Sequence, residues 1–230
     1  MKIKMIFCLV LLYSASSYSI SDPVEEIFTD IYKNNKWESP ETVSGPGSTV
    51  SVTQRMRREL STLIKRFRIS SIADAPCGDY NWMRYVDIGD CEYIGIDIVK
   101  ELIENNTRLF GPVRKFKHLN LVENVIDKVD LIICRDMLTH LTYEQIFNVL
   151  RNFKQSGSKY LLVTTNLATK KNIDVSNSPD CPYRLVTPFL NLELPPFNFP
   201  QPLALIQEDI PFGAEQGKHL ALWFLDDIKV

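Results

Sequence analysis

The sequence predicts an α/β domain: a mostly parallel sheet with helices on both faces, finished by an antiparallel C-terminal hairpin. Three observations carry this. Short apolar runs alternate with helical patterns of about ten to fifteen residues, as in parallel strands covered on both faces. The last two strand-like runs have only a short turn between them, so they pair antiparallel. Polar residues cluster where the apolar runs end, which is where such sheets hold their ligands.

The elements follow in chain order. Lys2 and Lys4 precede the apolar run Met5–Leu12, and small or polar residues follow through Ser19. This pattern describes a secretory signal peptide over 1–19, and the run is too short to anchor in a bilayer. Export of the mature chain follows, or a cytoplasmic chain if the start is mis-assigned. Residues 24–33 read as a short helix, and Ser39–Ser48 is rich in Gly, Pro and Ser. Met56, Leu60, Leu63, Ile64 and Phe67 recur at helical spacing and predict a helix over 53–67 with a solvated basic face. We assign 20–70 as an N-terminal helical cap and 71–230 as the core, together one domain.

Strands are expected at 71–75, 93–97, 113–119, 129–134 and 159–164. A helix carrying Val99, Leu102 and Ile103 follows the second of them. Thr142 and Gln145 form a capping-box pattern before a helix whose apolar face is Tyr143, Ile146, Phe147, Leu150 and Phe153. A Pro-rich loop (Pro188 to Pro202) leads to the hairpin strands, about 203–208 and 219–226.

Composition narrows the function. The chain has 230 residues, 45% hydrophobic and 23% charged, in the range of folded globular domains. Its net charge of −2 becomes −4 once residues 1–19 and their two lysines are removed, from 24 basic and 28 acidic residues. Neither value recruits nucleic acid. Five cysteines without a CxxC pair and three histidines give no zinc cluster, so no metal is expected. Asn105-Asn106-Thr107 is a glycosylation sequon, a triplet that also arises by chance.

The chemistry gathers at the strand ends: Asp74 to Asp79, Asp97, Asn120, and Cys134-Arg135-Asp136. Gly78 lets the backbone approach a ligand, and a following helix would present its N-terminal amides. Asp97, nineteen residues on, suits the two hydroxyls of a ribose. The turn lacks G-x-G-x-x-G, and Asp74 and Asp79 would repel a pyrophosphate while attracting an ammonium and a sulfonium. The charge balance therefore favours S-adenosylmethionine over NAD.

These residues resemble the class I S-adenosylmethionine-dependent methyltransferases, and within them a mostly bacterial-type subgroup with an Asp-Ala-Pro-Cys-Gly-Asp motif. The resemblance rests on Ser44–Ser48 with Thr53, Arg57 and Leu60, on Asp74–Met83, on Tyr93–Ile98, and on Asp130–Asp136 with His140-Leu141. Tyr160–Thr165, Pro196–Pro200 and Leu222-Trp223 also match. It implies a Rossmann-like seven-stranded sheet. It implies that Asp74, Ala75, Cys77 and Gly78 line the methionine end of the cofactor, with Cys134 and Arg135 beside them. Asp97 with Ile98 would hold the ribose, and Asn120 with Leu121 the adenine. Asn120 departs from the family's usual acid, and the run from Asp174 to Leu190 matches less well, so specificity or activity could differ. Trp37, Gly47, Ser48 and Arg57 are candidates for a lid or acceptor contact.

Asp136 and His140, four apart after the fourth strand, are candidate general bases if they share one helix face. In the bland alternative Asp136 caps the next segment and His140 is packed. Arg135 would orient an acidic substrate or pair with Asp136. Cys77 and Cys134 end adjacent strands in a 3-2-1-4-5 order and read best as small buried thiols. The function expected is methyl transfer to a small-molecule or protein acceptor. The alternatives are a catalytically silent secreted binding protein of the same fold and a different nucleotide-using Rossmann-like enzyme. Oligomeric state is not legible.

Overall fold

A computed structural model describes residues 23–177, 188–208 and 217–230. The segment read as a signal peptide, Cys181, and the centres of the 174–190 loop and of the hairpin turn lie outside these residues. One seven-stranded sheet runs in the order β3-β2-β1-β4-β5-β7-β6. The strands are β1 (Ser71–Asp74), β2 (Glu92–Asp97), β3 (Lys115–His118), β4 (Leu131–Cys134), β5 (Tyr160–Asn166), β6 (Ala204–Gln207) and β7 (Lys218–Phe224). The first five are mutually parallel. β7 inserts antiparallel between β5 and β6, in register from Tyr160↔Phe224 to Asn166↔Lys218. The architecture read from the sequence is therefore present, strand order included.

Side chains alternate across the sheet, so each strand feeds two cores. Ala73, Ile132, Cys134, Leu161, Val163, Ala221 and Trp223 face α4 (Tyr143–Gln155), which buries Ile146, Val149, Leu150 and Phe153. Ile72, Leu131, Ile133, Leu162, Leu220 and Leu222 face α2 (Gln54–Arg66) and its Met56, Leu60, Leu63 and Ile64. The expected capping box opens α4: Thr142 accepts from the Gln145 N–H at 3.3 Å, and Gln145 accepts from the Thr142 N–H at 3.1 Å. α3 (Lys100–Phe110) covers β2 and β3, and α1 (Pro23–Lys33) lies against α3.

Two expectations are corrected. No α-helix follows the β1 turn; only a 3-10 turn, Met83–Tyr85, precedes β2. Trp82, Met83, Val86 and Ile88 are all buried, but the chain turns extended at Val86 (φ −82°, ψ 128°), so the helical path stops after one turn. The helix expected to present its N-terminal amides after Gly78 is thus replaced by a loop. Nor do Asp136 and His140 share a helix face. Asp136 has φ +56°, and a 3-10 turn spans Leu138–His140. The left-handed residue breaks the helical path between them.

The sequon falls within α3, where the Asn105 amide donates to the Tyr32 hydroxyl at 2.7 Å. None of the described helices is long and apolar enough to cross a membrane.

Candidate active site

A cavity of about 460 Å³ opens at the carboxyl ends of β1, β2, β3 and β4. That volume lies within the usual range for small-ligand sites. Its wall is built from four segments that the fold brings together: α1, the stretch from Trp37 to Ser48, the strand-end loops, and the start of β7.

The β1 turn supplies Cys77 and Gly78. Gly78 has φ +51°, and a Cβ there would sit 2.2 Å from the Ser44 hydroxyl. The N-terminal stretch is therefore seated directly on the glycine, and a polar tie holds it. Asp79 accepts from the Thr42 hydroxyl (2.7 Å), the Val43 N–H (3.1 Å) and the Ser44 hydroxyl (3.0 Å). Asn81 donates to the Ser48 carbonyl at 3.1 Å and to Glu41 at 2.7 Å.

Asp97 ends β2 on the cavity wall. One of its oxygens accepts from the Gly78 N–H and the other from the Val99 N–H, both at 3.0 Å. A carboxylate offers about four acceptor directions, so each oxygen retains capacity for a further donor. Burial pushes this carboxyl upward, opposed by its backbone donors. Beside it Ile98, Val99, Leu102, Leu119 and Leu121 form an apolar slot. The Asn120 oxygen accepts from the Val122 N–H at 2.9 Å, turning the side chain back over its own loop.

Under the floor lies Asp74, 1% exposed. The Tyr93 hydroxyl donates to one of its oxygens at 2.8 Å, and the other has no hydrogen-bond partner among the described residues. Burial pushes its carboxyl up to about 7, with nearby Asp97 adding to the rise while the Tyr93 bond and Arg135 oppose it. An unsatisfied oxygen in a dry site disfavours the charged form, which agrees with that direction.

At the opposite end stand four charges. Arg135 and Glu208 are each 3% exposed, and their closest contact is 2.5 Å. Lys218 donates to Asp136 at 2.8 Å and lies 3.8 Å from Glu208. Arg135 is 3.4 Å from Asp136. Burial alone would raise the Asp136 carboxyl, but attraction to Lys218 and Arg135 outweighs it and holds the group well below the usual carboxylate range. Asp136 therefore stays ionised near neutral pH and makes a weak proton acceptor. His140 is 9% exposed, wedged between Phe28 (centroids 5.9 Å apart) and Trp37 (5.8 Å).

Of the residues singled out from sequence, Cys77, Gly78, Asp97, Ile98, Asn120, Leu121, Arg135, Asp136, His140, Trp37, Gly47 and Ser48 line the cavity. Asp74, Ala75 and Cys134 do not: they lie beneath the floor, and Cys134 points into the α4 core at 0% exposure. Arg57 lies outside the wall, donating to the Val50 carbonyl at 2.8 Å. Cys77 and Cys134 are buried and unbonded to each other. Phe28, Tyr32, Trp82, Phe189, Lys218 and, behind the wall, Glu208 were not anticipated as site residues. Trp82 belongs to the 74–83 motif, whereas Lys218 meets Asp136 and Glu208 meets Arg135 only because β7 inserts beside β5 and carries β6 with it.

No family model matches the chain, and no curated protein matches it. Solved structures do. Magnesium protoporphyrin IX methyltransferase from Synechocystis PCC 6803 with bound SAM superposes with a TM-score of 0.54 at 11% identity, covering 89% of this chain and 98% of that one. Human N-acetylserotonin methyltransferase in complex with SAM gives a TM-score of 0.50 at 17% identity, covering 74% of this chain and 50% of that one. The chain thus spans half the length of the human enzyme. The methyltransferase domain of a bacterial Hen1 matches over 50% of this chain and 66% of its own length, at 13% identity and a TM-score of 0.45. The fold of this chain is the Rossmann-like fold that methyltransferases use.

Proposed function

We propose that this chain is an S-adenosylmethionine-dependent methyltransferase acting on a small-molecule or protein acceptor, as its Asp74–Asp79 motif and its fold together suggest. The observation that carries the reading is one wall of the cavity, where Asp97 presents spare acceptor capacity beside an apolar slot. A nucleoside needs that pair: acceptors for two ribose hydroxyls and flat apolar surface for a base.

The residues fit the rest of the cofactor as well. The only described lysine or arginine side chains on the wall, Arg135 and Lys218, are both ion-paired to carboxylates. The wall therefore carries no unpaired lysine or arginine for a pyrophosphate, and Asp97 is its carboxylate without a lysine or arginine partner among the described residues. Asp97 with Ile98 would take the ribose, the Asn120-Leu121 loop the base, and Cys77-Gly78 the amino-acid end. When bound, such a cofactor supplies a methyl group activated by a sulfonium.

The protein's own contribution is positioning and exclusion of water, which suffice for an in-line displacement when the acceptor needs no deprotonation. Trp37 and the Gly45–Ser48 stretch close the cavity from above, and Phe28 and His140 pack beside them. Asp136, ionised and paired, orients rather than abstracts. If an acceptor proton must leave, His140 is the wall residue suited to take it.

Calorimetric titration with S-adenosylmethionine and S-adenosylhomocysteine tests the reading. Binding is expected for the wild-type chain, and Asp97→Asn should weaken it at least tenfold, about 1.4 kcal/mol, with the circular dichroism spectrum unchanged. No heat at high micromolar ligand would overturn cofactor use. Labelled methyl transfer into a host extract, lost in Gly78→Arg, would then identify the acceptor.

A further inference from the structure

Glu208 directly follows β6, outside the cavity wall, yet it is buried, and both hydrogen bonds to its side chain come from Arg135, with the Lys218 ammonium 3.8 Å away. Its Oε2 accepts from Arg135 Nε at 3.1 Å and Nη2 at 2.5 Å, while its Oε1 has no partner among the described residues. The remaining guanidinium donors reach across the cavity mouth: Nη2 donates to the Gly47 carbonyl at 2.9 Å, and Nη1 to the Ser48 hydroxyl at 3.1 Å. The guanidinium also sits 5.7 Å over the Trp82 ring. Ser48 is held from its other side by Asn81.

A buried ion pair is a poor source of net stability, because desolvation of both groups offsets their attraction. What one carboxylate oxygen accepting from both Nε and Nη2 does supply is orientation, since two donors on one edge of the planar guanidinium are tied to a single point and its other edge points away from it. Here that direction is the Gly47–Ser48 rim.

We propose that Glu208 is a positioning residue: by fixing Arg135 it holds the Gly47–Ser48 rim of the cavity in place, so the end of the β6 strand governs how readily the cavity mouth opens. Glu208 touches no ligand in this arrangement, and all of its influence passes through Arg135. Because the effect belongs to the ligand-free chain, it stands or falls separately from the identity of the cofactor.

Hydrogen–deuterium exchange of the ligand-free protein is the test. The Ser48 amide, bonded to the Gly45 carbonyl, and the Val50 amide, bonded to Glu41, are protected reporters within 44–50. Glu208→Gln should speed exchange in 44–50 at least tenfold while leaving β5 unchanged, and Ser48→Ala should do the same. The double variant should exchange no faster there than either single variant, because both cut one chain of contacts. Unchanged exchange in 44–50, acceleration spread evenly over the sheet, or additive effects in the double variant would each overturn the proposal. If Glu208→Gln does not fold, Glu208→Asp, which keeps the charge but shortens its reach, is read by the same criteria.

Discussion

At the scale of single residues, the site is governed by which carboxylates are paired and which are not. Asp136 is held charged by two cations, whereas Asp74 has one bonded oxygen and one without a partner. The consequence for stability has a definite sign. Folded Asp74 retains its proton up to about pH 7, while an unfolded aspartate releases it near pH 4. Between those values the folded state binds more protons, so stability falls as pH rises through the window and levels off above it. Asp74→Asn should remove that fall. Thermal midpoints measured from pH 4 to 8 should decline less steeply in the variant, with a gain on the order of 4 kcal/mol at the upper end. A wild-type slope equal to the variant's would show that Asp74 ionises normally.

At the scale of elements, the N-terminal stretch is tied down by polar contacts more than by apolar burial. Asp79 alone accepts from Thr42, Val43 and Ser44. Hydrogen bonds to a charged group contribute about 1.5–3 kcal/mol each where they are desolvated. Asp79→Ala should therefore release residues 39–48 without unfolding the sheet. Limited proteolysis should cut the variant within that stretch and spare α4.

Much at this scale was legible in advance. The capping box at Thr142 and Gln145, the short apolar strands and the hairpin are local patterns, and each element formed within a few residues of its expected bounds. The 80–91 connection was not legible as a 3-10 turn, because Trp82, Met83 and Val86 stand at helix-compatible spacing while the chain turns extended at Val86. The turn that carries Gly78 could be read from its own sequence. Its Asp79 contacts depend on a segment thirty-five residues or more away, and sequence spacing is silent about them.

At the scale of the whole molecule, β7 is the piece that closes the sheet. It pairs with β5 over seven residues and with β6 over four, and it carries Leu220, Ala221 and Leu222 at 0% exposure. A chain stopped at residue 217 would leave β5 with a bare apolar edge and β6 without a partner, a combination that favours aggregation. Such a chain should be recovered as insoluble material. A soluble truncated protein with native circular dichroism would show that the parallel strands fold alone. This is also why the charged end of the cavity escaped the sequence. Asp136 and Lys218 meet because β7, from the end of the chain, inserts next to β5 and so lies one strand from β4, which is a property of topology and not of any motif.

The Arg135 junction also orders events during synthesis. It gathers Gly47 and Ser48 from near the start of the chain, Arg135 from the middle, and Glu208 with Lys218 from near the end. As the ribosome extends the chain from its N-terminus, the β1 turn and the stretch seated on it emerge well before Glu208 does. Until that residue leaves the exit tunnel, Asn81 can hold the rim but Arg135 lacks the carboxylate that fixes it, and the cavity has no finished mouth. A nascent chain can thus build most of its sheet before it can close on a ligand, and the capacity to hold one arrives among the last steps of its making.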